Sequence, residues 1–126
     1  MTEFHYAVDA EGVATITWDV PGKSMNVLSL AGLEELDGHV ATALSDDAVK
    51  GIVITSGKKD FAGGMDLKVI ARMKEMVGDD PARGLFDGIM RMHAALRRIE
   101  RAGMDPKTLK GGKPVAAALP GTALGI

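Results

Sequence analysis

Two adjacent glycines stand in the stretch Asp60-Phe61-Ala62-Gly63-Gly64-Met65-Asp66-Leu67, between an apolar strand-like run and a helix-like run. Glycine admits backbone angles and a close ligand approach that a Cβ obstructs. The start of the following helix presents backbone N–H groups without partners. A carbonyl oxygen gaining negative charge would be stabilised at such a turn, so the stretch reads as half of an oxyanion hole.

Other residues able to do chemistry have plainer readings. Asp66, just before Leu67 and Lys68, suits a helix N-cap. His93 falls on the apolar side of its helical wheel and is expected to be a core or pocket-lining residue, and His5 and His39 read as surface or edge residues. No His/Asp/Glu spacing suggests a metal. Gly111-Gly112-Lys113 lacks the four-residue spacer and the Ser/Thr of a phosphate-binding P-loop. Arg91, Arg97, Arg98 and Arg101 read as a solvated helix face, without the interleaved aromatics of a nucleic-acid surface. Several of the eight methionines sit at helix positions that suit an adaptable apolar pocket.

Length limits these residues to one domain, since 126 residues support one core but not two of ordinary size. Fifteen basic against seventeen acidic residues leave a formal charge of −2, which gives no global field for nucleic acid or an anionic membrane. The absence of cysteine excludes disulfides, thiolate metal sites and a cysteine nucleophile, and fits a cytoplasmic protein. No apolar run approaches the length of a membrane span.

The elements that must position the glycine turn follow from periodicity. Phe4–Val8 and Val13–Trp18 favour strands and form a hairpin. Ser29 N-caps a helix running to about Leu44 whose apolar face holds Leu30, Leu33, Leu36, Val40 and Ala43. Gly51–Thr55 suits a strand buried on both faces. After the turn, Val69, Ile70, Met73, Met76 and Val77 share a face of a helix ended by Gly78–Pro81. A second helix, Arg83 to Arg101, gathers Leu85, Phe86, Ile89, Met92, Leu96 and Ile99. An exposed loop from Ala102 to Lys113 leads to an apolar strand, Pro114–Leu119, and a second glycine turn, Gly121–Gly125. Strand, glycine turn and helix in alternation argue for an α/β domain with parallel strands. A glycine turn after a strand normally introduces a helix, so the stop at Ile126 suggests a fragment.

Ile52-Val53-Ile54 followed by Asp60–Leu67 resembles the signature of the enoyl-CoA hydratase/isomerase (crotonase) family, in which phenylalanine precedes a small-small-glycine-X-aspartate turn. Ser24-Met25-Asn26-Val27-Leu28 resembles the family's asparagine-small-leucine segment. Lys113–Ala117 with Gly121–Gly125 resembles its lysine-proline-strand and later glycine turn. Together these motifs cover essentially the whole chain. Pro21–Leu28, the Gly121–Gly125 turn and Met92–Glu100 are more similar to the N-terminal hydratase part of the multifunctional fatty-acid oxidation α-subunits, which also carry an NAD-dependent 3-hydroxyacyl-CoA dehydrogenase, than to a stand-alone hydratase.

The resemblance implies a crotonase ββα-repeat fold of which residues 1–126 are the N-terminal portion of one domain. It implies acyl-CoA or enoyl-CoA as ligand, and a thioester carbonyl held by the backbone N–H groups of Met65 and Ile126. The family usually has glycine at the position of Ile126. The resemblance also places main-chain groups around Gly63 and Leu67 at the adenine and Met25 near the pantetheine, with Gly64 and Gly125 as further substrate-binding residues of the two glycine turns; Lys23, Lys58, Lys59 and Lys68 remain alternatives for CoA phosphates. Hydration needs no cofactor, and NAD enters only with a fused dehydrogenase. The family's two catalytic glutamates lie beyond the second glycine turn, so these 126 residues alone are expected to be inactive and to associate with copies or with the remainder of a longer chain. Two other readings are a non-catalytic acyl-CoA-binding module and an assembly fragment. Self-compartmentalising serine peptidases are a weaker match, since the turn has no central serine.

Overall fold

The computed structural model describes residues 1–73, 75 and 77–125; Met76 and Ile126, assigned above to a helix face and to an amide donor, lie outside the described residues. The hairpin forms as expected. Strands β1 (Phe4–Val8) and β2 (Val13–Trp18) pair antiparallel, Phe4 opposite Trp18. Their turn is closed by the Asp9 carboxylate, which accepts from the amides of Glu11 and Val13 at 2.9 and 3.0 Å.

Helix α1 (Leu30–Ser45) starts at Ser29, whose hydroxyl accepts from the Gly32 amide at 2.9 Å. It carries the chain to β3 (Gly51–Ser56), parallel to β2, and β5 (Val115–Ala117) adds in parallel to β3, giving the order β1-β2-β3-β5. Ala14, Ile16 and Trp18 alternate with half-buried neighbours along β2, and Ile52 and Ile54 do so along β3. These residues meet Leu33, Val40 and Ala43 of α1, and this is where the core sits. β3 is therefore buried on one face, not both; residues Gly51, Val53 and Thr55 of the other face are only half-buried.

The second half departs more from expectation. Strand β4 (Ala62–Gly63) pairs in parallel with β6 (Ala123–Leu124), so the later glycine turn is itself part of a small sheet. Helix α2 (Leu67–Arg72) ends well before Val77, and none of its residues is buried. Short helices in water are marginal without a packed face, and α2 has none. Pro81 begins helix α3 (Pro81–Arg101) instead of ending the helix before it, because proline fits the first helical turn; the Asp80 carboxylate caps α3 by accepting from Arg83 N at 3.1 Å.

Of α3 only Ala95 is buried, with Met92 and Ile99 partly so; Leu85, Phe86 and Leu96 are exposed. The apolar stripe is wider than the surface α1 covers, which also leaves His93 exposed instead of in a core or pocket wall. Lys113 holds the chain after α3 against the end of α1, its Nζ donating to the carbonyls of Ala43 at 2.8 Å and Asp46 at 2.6 Å. No described helix is long and apolar enough to cross a membrane.

Candidate active site

Asn26 is fully buried between the ends of β2, β3 and β4. Its Oδ1 accepts from Val20 N at 2.9 Å, and its Nδ2 faces the Trp18 carbonyl and Ser56 Oγ at 2.9 Å and the Phe61 carbonyl at 3.2 Å. Trp18 stacks on Phe4 and meets Phe61 edge-on at 5.9 Å, so the first residues of the glycine stretch are anchored to the hairpin.

From that anchor the extended segment 26–28 runs beside the glycine turn. Gly63 N donates to Asn26 O at 2.7 Å, Leu28 N to Gly64 O at 2.9 Å, and Asp66 N to Leu28 O at 2.8 Å. These bonds make Leu28 and Met65 opposite residues of a parallel bridge. In such a bridge the bonds pass through the residues flanking Met65, so its own N–H points away from Leu28. Among the described residues that amide has no backbone partner. Gly64 makes the turn possible at φ +92°, and Gly63 leaves room for Met25, whose Sδ lies 2.6 Å from where a Cβ would stand.

The later turn lies alongside. Ala62 faces Ala123 and Gly63 faces Leu124, and the Gly125 carbonyl oxygen is 2.9 Å from the position of a Cβ on Gly64. Gly63, Gly64, Met65, Met25 and Gly125 are thus brought together. Leu67 stands at the start of α2 with 77% exposure. Asp66 is the N-cap expected of it, accepting from Lys68 N at 3.0 Å and pairing with Lys23 Nζ at 3.2 Å. The Lys68 amide, followed by Lys23, holds its carboxyl below the usual range. Of the four lysines near the motifs, Lys23 is engaged with Asp66 and Lys58 with Asp19 at 2.6 Å.

Beside Met65 lies a cavity of about 240 Å³ between α2 and α3, lined by apolar residues including Leu30, Val69, Met73, Ile89 and Met92. Asp87 and Arg91 are its charged lining residues. Three of the eight methionines, Met65, Met73 and Met92, therefore line one space. A larger hollow of about 720 Å³ against β5 shares no lining residue with it. The described residues contain no group of three or more His, Asp or Glu able to hold a metal.

Three features escaped sequence reasoning: the buried role of Asn26, the pairing of β6 with β4, and the contact of Asp60 with Thr122, where Asp60 Oδ1 accepts from Thr122 N at 2.8 Å. The family's asparagine-small-leucine segment marked Asn26 without its role, and the one local signal for burial was a polar residue inside an otherwise apolar Met-Asn-Val-Leu run. The other two join residues about sixty positions apart, and nothing local encodes them.

Comparison with known proteins agrees with this geometry. The model of the enoyl-CoA hydratase/isomerase family matches residues 9–95. A fatty acid oxidation complex subunit alpha from Idiomarina loihiensis is 36% identical over 127 residues, covering 97% of this chain and 15% of that protein. An enoyl-CoA hydratase from Thermoplasma volcanium superposes with a TM-score of 0.69 at 24% identity, over 94% of this chain and 40% of that one. An enoyl-CoA hydratase/isomerase from Xanthobacter autotrophicus gives 0.64 at 27% identity, over 95% and 39%. The chain thus spans about 15% of the length of the curated relative and about 40% of these structures. With the glycine turn, the parallel ladder and the family match in agreement, the chain belongs to the enoyl-CoA hydratase/isomerase family and has the crotonase fold.

Proposed function

We propose that these residues form the thioester-binding part of an enzyme that hydrates 2-enoyl-CoA to 3-hydroxyacyl-CoA in fatty-acid β-oxidation. The observation that carries this reading is the Met65 amide, directed away from Leu28 and without a backbone partner among the described residues, next to an apolar cavity. The thioester oxygen accepts from Met65 N–H and the acyl chain enters the cavity. Met25, Gly63, Gly64, Leu67 and Gly125 border the CoA portion.

Polarising the carbonyl draws electron density from C3, which makes that carbon open to attack by water, and the donor then stabilises the enolate-like charge that follows. One such donor is typically worth about 10²–10³ in rate. Ile126 N–H would be the second. Water activation and protonation at Cα require positioned carboxylates. Asp66 is occupied as a cap and by Lys23, so we assign these steps to the family's glutamates outside these 126 residues. On this reading the 126 residues alone bind without turning over. Addition of water changes no oxidation state overall and calls for no cofactor; NAD would serve only a dehydrogenase part of a longer protein. A cytoplasmic setting fits an acyl-CoA ligand.

Calorimetric titration with CoA and with butanoyl-, hexanoyl- and octanoyl-CoA tests the reading. Burying a CH₂ is worth about 0.8 kcal/mol, or roughly fourfold in affinity. Affinity should climb with chain length until the cavity fills, and Ile89→Glu should abolish the climb while leaving CoA itself unaffected. Equal affinity for CoA and every acyl-CoA would overturn it.

A further inference from the structure

We infer that Asp60 is a positioning residue for thioester binding: its carboxylate clips the second glycine turn onto the first and so sets the spacing of the two backbone segments that face the carbonyl. The inference rests on the thioester-binding reading above, but the clip itself stands on contacts of its own.

The Asp60 carboxylate accepts from Thr122 N at 2.8 Å, while the Thr122 carbonyl accepts from Phe61 N at 2.9 Å and Ala62 N at 3.1 Å. Both backbone groups of Thr122 are thus engaged by three consecutive residues, 60 to 62. The parallel ladder of Ala62 with Ala123 and Gly63 with Leu124 starts from this point and leads to Gly125 beside Gly64. A two-rung ladder holds register weakly by itself, and a one-residue slip would reverse which groups face the ligand. The contact at its origin therefore decides the register.

Gly121 shows how closely the two turns approach. Its φ is +54°, and a Cβ there would stand 2.5 Å from Asp60 Oδ1 and 2.6 Å from Lys59 O. Only glycine lets the chain pass at that distance. The Thr122 amide, and then its side chain, pull the Asp60 carboxyl below its usual range, so the acceptor is ionised at neutral pH.

The experiment compares the wild-type chain with Asp60→Ala and Asp60→Asn, using 2,4-hexadienoyl-CoA, whose absorption moves to longer wavelength when its carbonyl is polarised. Amide hydrogen exchange at Thr122 is measured on the same samples. Asp60→Ala should lose at least half of the red shift, keep its affinity for CoA, and exchange at Thr122 about three- to tenfold faster, the size expected for one lost hydrogen bond. Asp60→Asn, whose Oδ1 still accepts from Thr122 N–H, should recover most of both signals. A full red shift with unchanged Thr122 exchange in Asp60→Ala refutes the inference. If wild type binds the dienoyl-CoA with no red shift although Asp60→Ala still loses Thr122 protection, the clip is real but the thioester reading fails, and Asp60's role in it with that reading. If Asp60→Ala does not fold, Asp60→Glu decides. It keeps the charge but displaces the accepting oxygen by one bond, and a wild-type red shift in that variant overturns the inference.

Discussion

Replacing Asn26 by alanine should cost about 4 kcal/mol of stability, with outer bounds of about 2–6. The figure follows from what each partner keeps. Val20 N–H, in a residue only 5% exposed, has Asn26 Oδ1 as its acceptor and is orphaned by the substitution, at a cost of about 1–3 kcal/mol. The Trp18 carbonyl keeps a bond from Gly57 N at 2.9 Å, and Ser56 Oγ keeps those with Asp60 O and Lys58 N. Each therefore loses only the net worth of one bond, about 0.5–1.5 kcal/mol. Urea unfolding followed by the fluorescence of Trp18, the only tryptophan and 4% exposed, reads the change as a shift in midpoint at constant slope. Asn26→Asp keeps the acceptor for Val20 N–H but sets a second carboxylate oxygen against the Trp18 and Phe61 carbonyls. Burial and those carbonyls raise its folded pKa, so its deficit should be smallest at acid pH and grow as pH rises from about 4, the unfolded value. An alanine variant losing less than about 1 kcal/mol, or an aspartate variant with the pH dependence of wild type, would refute the placement of Asn26 as the anchor.

Three further outcomes are expected. Gly63→Ala should destabilise by about 1–2 kcal/mol, because its Cβ meets the flexible Met25 side chain and not backbone, and Met25→Ala should relieve part of that loss in the double variant, read by the same unfolding curves. Lys113→Ala should cost about 1–2 kcal/mol by freeing the Ala43 carbonyl at the end of α1 and taking one donor from the Asp46 carbonyl, which keeps Val49 N, and amide exchange should localise the loss to the last turn of α1. The carboxyls of Asp60, Asp66 and Asp105 are all held low, chiefly by the amides of Thr122, Lys68 and Thr108. Their contributions are fully present above about pH 4, the unfolded value, and are lost as pH falls through the lower folded values; the three amide resonances should therefore titrate below pH 4.

How far the sequence reached depended on the range over which each feature is encoded. The hairpin, Ser29 as a cap and the leucine face of α1 are local patterns of period two or 3.6, and all three formed where the residues indicated. The glycine turn was legible because Gly63 and Gly64 answer a backbone need at that spot. Helix α2 was overextended because Val69, Ile70 and Val77 match helical spacing, yet no neighbour buries α2. His93 failed likewise: the wheel gave an apolar side for α3, but only the Met92, Ala95 and Ile99 edge of it meets the core, which depends on where α1 lies. The Asp60–Thr122 contact joins residues sixty-two positions apart and exists only once β6 pairs with β4.

The central claim is that the Met65 amide polarises a bound thioester carbonyl. The most direct test is the carbonyl stretching frequency of ¹³C-labelled hexanoyl-CoA bound to the wild-type chain and to a semisynthetic chain in which the amide of residue 65 is replaced by an ester. That change deletes the N–H and keeps the methionine side chain. The account predicts a downward shift on wild-type binding that is largely lost in the ester chain at similar occupancy. An equal shift in both chains, or none in either at saturation, would contradict it.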